Sequence, residues 1–231
     1  MPEVSLTALA ICLIPVAAVA FIGQRWAGSG REILHASARM LVQLLAVGFA
    51  LVFILASPNP LVGISVTLVM VIAASLIGVR TIRTNRWTAF RRALISIGGA
   101  GTLVLIFILY VVLQLDDPPY QPRMLIPLAG MLYSNAMTAI TLAAERLERE
   151  IGGGASFADA RGAAWTAALI PQINALFAVG IVSLPGMMTG QILSGVDPLI
   201  AVRYQVVVMA MILQSAAFSV AIFLQLSKER K

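Results

Sequence analysis

The sequence predicts an all-α protein that crosses a membrane about seven times. Three observations predict it. Apolar residues make up 60% of the 231-residue chain and charged residues only 11%, against about 25% charged in a soluble domain. Mean hydropathy is +0.94. The apolar residues fall in long unbroken runs with the charges between them, whereas a membrane barrel would show alternating segments of about ten residues.

A helix crosses about 30 Å of hydrocarbon with about 20 apolar residues. That measure gives spans at residues 4–22, 40–56, 61–79, 93–113, 125–143, 169–193 and 199–226. The first contains a small-residue run, Val16 to Ala20, that resembles a signal-peptide cleavage site, but Met1, Pro2 and Glu3 before it carry no positive charge. Signal peptides begin positively charged, so this segment reads as a retained helix. The second span follows a polar stretch that holds His35. The fifth runs on as a charged helix, and Pro185-Gly186 falls inside the sixth.

Orientation follows from the loops. Fourteen of the sixteen Lys and Arg residues follow the first, third, fifth and seventh spans, leaving Arg123 and Arg203. Basic residues stay in the cytoplasm, which predicts an external N-terminus and a cytoplasmic C-terminus. The net charge of +6 is therefore an orientation signal, and no nucleic-acid partner is expected. The chain reads as one membrane domain over residues 1–231, multi-pass in the cell's inner (plasma) membrane, with a cytoplasmic coupling segment at about 144–168.

Several chemistries are excluded. Lysine occurs only at Lys228 and Lys231, so there is no phosphate-cradling loop with its lysine and no Schiff-base lysine within a span. One histidine and one cysteine, Cys12, rule out a His-Glu-x-x-His site and a disulfide framework. No Asp or Glu lies in the middle of a span, although ion-coupled carriers usually keep carboxylates there. No catalytic residue and no cofactor of this chain are expected, and any energy would come from a partner.

The cytoplasmic segment encodes a helix, a break and a second helix. Glu145 and Arg149 stand four apart, in the favourable order for a helical ion pair. Gly152, Gly153 and Gly154 then disfavour further helix. Ser156 with Asp159 three residues on resembles a capping box, which predicts a short helix over 157–168 that ends near Pro171. This is either an ordinary connection or a coupling element, with Gly154, Ala155, Ser156, Phe157, Asp159 and Arg161 docking in a groove of a cytoplasmic ATPase.

Two runs resemble a known family. Ile126-Pro127-Leu128-Ala129-Gly130-Met131 followed by Ser134-Asn135-Ala136-Met137 is one. Val179 to Gly190, through Leu184-Pro185-Gly186-Met187-Met188-Thr189, continuing to Gly195-Val196-Asp197-Pro198 and Ala201 to Gln205, is the other. Both are similar to the FetB-type permeases, membrane subunits of ABC transporters linked to iron export. The plant aluminium-tolerance half-transporters belong to the same family. The segment before Gly154 departs from the family pattern by being shorter and Gly-rich. The resemblance implies a permease, present as a pair, driven by a separate ABC ATPase subunit that holds ATP and Mg. Implied cargo is iron or another metal, while the plant branch is linked to a sugar nucleotide. A stand-alone channel is the rival reading.

Within that frame the polar residues of spans five and six become pathway candidates. Met131, Asn135 and Thr138 share one helical face, as do Met187 and Gln191 with Met188 beside them. Such a face either glues helices together or lines a polar seam for substrate. Thioethers suit soft metals and amide oxygens harder ones, so the metal ligands stay unassigned. Pro185 and Gly186 either kink a helix for close packing or break it along a pathway. Gln43 and Asn174 are secondary candidates.

Overall fold

The computed structural model describes residues 5–82, 85–115 and 121–228. Its described residues form helices and turns without a β-strand. They fall into two compact units, divided after Ser57.

The first unit is a helical hairpin, α1 (Leu6–Ala27) and α2 (Gly30–Ala56). Ser5 caps α1 by accepting from the Ala8 N–H at 3.2 Å. Gly28 ends it at φ +66°, a conformation that favours glycine. The turn is tight because Gly30 has no side chain: a Cβ there would stand 2.5 Å from the Ala20 carbonyl oxygen. The polar stretch expected before the second span is thus itself helical, and Arg31 to Arg39 extend α2.

The second unit is built around one long helix. Its elements are α3 (Pro60–Gly78), α4 (Arg86–Val112), α5 (Pro122–Gly152), α6 (Phe157–Ala178), α7 (Gly186–Leu193) and α8 (Pro198–Leu226). Asn59 and Asp197 cap α3 and α8 through their side-chain oxygens. Helix α5 packs against α3, α6 and α8, with α4 laid across α8. Leu128, Leu132, Tyr133, Ile140, Met211 and Val220 form the deepest part of the core. Small residues let the helices approach: Ala136, Ala139, Ala143, Ala160, Ala164 and Ala168 are all fully buried.

Helix α4 contains two π-helical stretches, Ser96–Gly101 and Phe107–Val112. A π turn holds an extra residue and leaves a backbone group to be satisfied elsewhere. At the start of the first stretch, Ser219 on α8 donates to the Ser96 carbonyl at 3.3 Å.

Six helices are long and apolar enough to cross a membrane: α1, α2, α3, α4, α5 and α8. They account for all the expected spans except the sixth. Residues 169–193 are not one helix. Helix α6 runs through Pro171 to Ala178, residues 179–185 form turns, and α7 carries only eight residues.

Two sequence expectations are corrected here. The capped helix does not end near Pro171, because Leu169 and Gln172 on either side are buried against neighbouring helices. Packing on both flanks outweighs the one backbone bond that proline removes. The sixth span breaks further along, at a glycine with φ +83°, Gly180, and at Pro185, which starts a new helix instead of kinking an old one.

Candidate functional site

The break between α6 and α7 lies level with the first turns of α5, one of the six helices long and apolar enough to cross a membrane. Helix α5 has 31 residues and α6 has 22, and the two pack antiparallel about the short turn at 153–156. At 1.5 Å per residue α6 stops about 13 Å short of the start of α5. Ala178 therefore lies near the level of Met131, within the apolar stretch of α5.

The segment folds into local turns. The Ala178 carbonyl accepts from the N–H groups of Ile181, Val182 and Ser183 at 3.2, 2.8 and 3.1 Å, and the Gly180 N–H donates to the Ser183 carbonyl at 2.9 Å. The carbonyls of Leu176, Phe177, Val179, Ile181 and Val182 accept no hydrogen bond among the described residues. At the start of α7 the N–H groups of Gly186, Met187 and Met188 donate none, and the first bond is Thr189 N–H to the Pro185 carbonyl at 3.0 Å. Every helix leaves such acceptors at its C-terminal end and such donors at its N-terminal end; here the two ends are separated by residues 179–185.

The sequence-selected residues fall on two separate elements, α7 just after the break and α5, and among the described residues the structure shows no packing of α7 on α5. Met187, Met188 and Gln191 are half-buried on α7, which packs against α8. The Gln191 Oε1 is buried without a partner. Pro185 is half-buried, and Gly186 is exposed with open space where its Cβ would be. Met131 and Asn135 are half-buried on α5 and Thr138 is exposed. Asn135 Nδ2 donates to the Met131 carbonyl at 2.8 Å, and Thr138 Oγ1 donates to the Ser134 carbonyl at 3.0 Å. Both side chains therefore fold back on their own helix. No hydrogen bond among the described residues joins the α5 set to the α7 set. Gln43 and Asn174 are exposed.

Three polar residues in the same half of the chain escaped the sequence reading. The Gln172 and Gln205 Oε1 atoms and the Tyr204 hydroxyl are buried and without partners. Gln172 is the last buried residue of α6 before the break. An amide one residue after an in-span proline was the available signal. No cluster of three His, Cys, Asp or Glu suited to a metal exists among the described residues. Any cation met here would see neutral oxygens and thioethers.

The coupling candidates gather at the α5–α6 turn. Gly154 holds φ +88°. Ser156 accepts from the Asp159 N–H at 3.2 Å and donates to its Oδ2 at 2.7 Å, which is the capping arrangement. Ala155 and Phe157 pack against the core, while Ser156, Asp159 and Arg161 are exposed. Arg161 also lines a cavity of about 320 Å³ with Trp165 and Gln225. On α5, ion pairs Arg149–Glu145 at 2.8 Å and Arg146–Glu150 at 2.6 Å stiffen the last turns. These pairs are solvent-facing, worth only tenths of a kcal/mol each.

Fold and site together define a multi-pass helical membrane protein with six candidate spans and a helix pair, α6 and α7, broken by turns. Over residues 5–231 the chain matches the family described as "Uncharacterised protein family (UPF0014)". It belongs to that family, the one whose FetB and aluminium-tolerance branches its two signature runs resemble. It is 34% identical to the UPF0014 membrane protein slr1647 of a Synechocystis strain, over 88% of this chain and 84% of the relative. It is 31% identical to the Escherichia coli protein described as "Probable iron export permease protein FetB", over 93% and 86%. Identity to the Arabidopsis thaliana protein ALUMINUM SENSITIVE 3 is 31%, over 92% and 81%. No solved structure matches the chain.

Proposed function

We propose that this chain is the membrane permease of an ABC transporter that exports iron or another metal ion, driven by a separate ATPase subunit. The observation that carries the proposal is a six-span helical chain 31% identical to a protein described as a probable iron export permease, with α6 and α7 broken by turns. Discontinuous helices are how many transporters build a site with unspent backbone dipoles inside the membrane. The absence of a phosphate loop in the sequence fits an energy source on a partner, and ATP and Mg would bind there.

In this reading two copies of the chain form the membrane unit. The N-terminus is external, and the basic ends of α5 and α8 face the cytoplasm. The ATPase grips the turn at Gly154, Ala155, Ser156, Phe157, Asp159 and Arg161. Substrate passes along Met131, Asn135 and Thr138 on one side and Met187, Met188 and Gln191 on the other, next to Pro185 and Gly186.

The test is flux in proteoliposomes loaded with iron(II), with and without the ATPase subunit and ATP. Iron movement that needs both is the expected result. Iron movement by the chain alone would make it a channel and overturn the proposal, as would failure to bind any ATPase.

A further inference from the structure

Three helices of the second unit change from apolar to charged sequence around one cavity. On α4, Arg92 is the last charge before an uncharged run that reaches Leu115. On α5 the uncharged run from Met124 ends at Ala144, and on α8 the run from Tyr204 ends at Ser227, next to Lys228. Arg92, Ala144 and Ser227 all line a cavity of about 590 Å³. All three helices are long and apolar enough to cross a membrane. Where such a helix turns from apolar to charged, a bilayer places its headgroup layer, and tryptophan collects there too. Trp87, in the first turn of α4, is 67% exposed.

The cavity has the size and mixed lining of a small-ligand site, roughly 300–1,000 Å³. Asn85, Thr88 and Arg92 line it from one face of α4, at helical spacings of three and four. Leu147 on α5 and Phe223 on α8 supply an apolar wall. Charge decides the occupant. Glu145 and Glu150 pair with Arg149 and Arg146, while among the described residues no carboxylate pairs with Arg86, Arg91 or Arg92. Arg92 is half-buried against the cavity, and a guanidinium fork matches phosphate oxygens two at a time. Glu148 lines the α5 side and keeps an anion on the α4 side. Basic pockets between membrane helices are sites for anionic headgroups. We propose that this cavity holds the headgroup of an anionic phospholipid, its phosphate on Arg92 and its ester region against Leu147 and Phe223. The inference is independent of the cargo and of the ATPase.

The test is native mass spectrometry of the full chain in detergent. The chain is titrated with phosphatidylglycerol, with phosphatidylcholine of the same acyl chains, and with inorganic phosphate. Phosphatidylglycerol is expected to be retained roughly tenfold more tightly than phosphatidylcholine. Arg92→Gln is expected to abolish that preference. Arg91→Gln makes the same charge change one residue away, at an exposed side chain outside the cavity lining, and is expected to weaken retention by no more than about twofold. Equal losses in the two variants would make the attraction a diffuse one to the basic helix start and overturn the proposal. Inorganic phosphate bound as tightly as the lipid would make the site one for a free anion and overturn it too. Should Arg92→Gln fail to fold, the unaltered chain still decides, because equal retention of the two lipids sinks the proposal.

Discussion

The hydroxyls of Thr102 and Tyr133 lie 3.0 Å apart and tie α4 to α5 in the core of the second unit. The contact exists because Gly101 precedes Thr102. A Cβ at Gly101 would stand 2.8 Å from Tyr133 Cε1 and 2.9 Å from Leu132 Cδ2. Gly101→Ala is therefore expected to cost about 1–3 kcal/mol through overpacking. Tyr133→Phe, which keeps the ring and removes the hydrogen bond, is expected to cost about 1 kcal/mol. Thermal unfolding in detergent would rank the two, and a neutral Gly101→Ala would mean that the helices can separate without penalty.

The Ser156 cap predicts a smaller effect. Ser156→Ala removes both the bond to the Asp159 N–H and the bond to its carboxylate, at a cost of about 1 kcal/mol. Ser156→Asp should retain capping toward that N–H but set two carboxylates together. Melting temperatures of the three proteins are expected to rank wild type first, with both variants lower.

Gly180 is held at φ +83° in the break. An alanine there would pay about 1–2 kcal/mol for the left-handed backbone, with open space around it. Gly180→Ala is expected to lower stability by that amount without a steric clash. Iron efflux is expected to fall further than stability does, and efflux that tracks the folded fraction would argue against a working role for the break.

The pathway assignment predicts a split between assembly and flux. Asn135 bonds only to its own helix, so Asn135→Ala orphans no buried donor elsewhere. Gln191→Leu removes a buried oxygen that has no partner. Both variants are expected to assemble normally and to lose efflux by roughly tenfold or more, about 1.4 kcal/mol in barrier terms. Unchanged efflux in protein that assembles would remove the residue from the pathway.

Much of this architecture was legible in the residues. Six apolar runs became helices because twenty apolar residues in sequence have few other stable forms in lipid. Ser156 and Asp159 announced their cap by spacing alone. What the residues concealed depended on neighbours. Pro171 reads as a terminator, yet the burial of Leu169 and Gln172 carries α6 past it. The run 169–193 has the length and polarity of a span, and only the fold shows α6 ending at Ala178. The π stretches of α4 left no pattern, since Gly98, Gly99 and Gly101 specify room but not the register of a hydrogen bond. Gln172, Tyr204 and Gln205 were overlooked because one amide or phenol in an apolar run says nothing about partners.

Helix α5 is continuous for 31 residues, a shaft of about 46 Å, and its neighbour α6 meets it at a common turn but is interrupted at the far end. Mechanical stiffness is thus divided unequally between two members fixed at one joint. If a load were applied at that joint, α5 would offer a continuous helical ladder along its length, whereas α6 would hand it at Ala178 to a segment of turns, residues 179–185, before α7 begins.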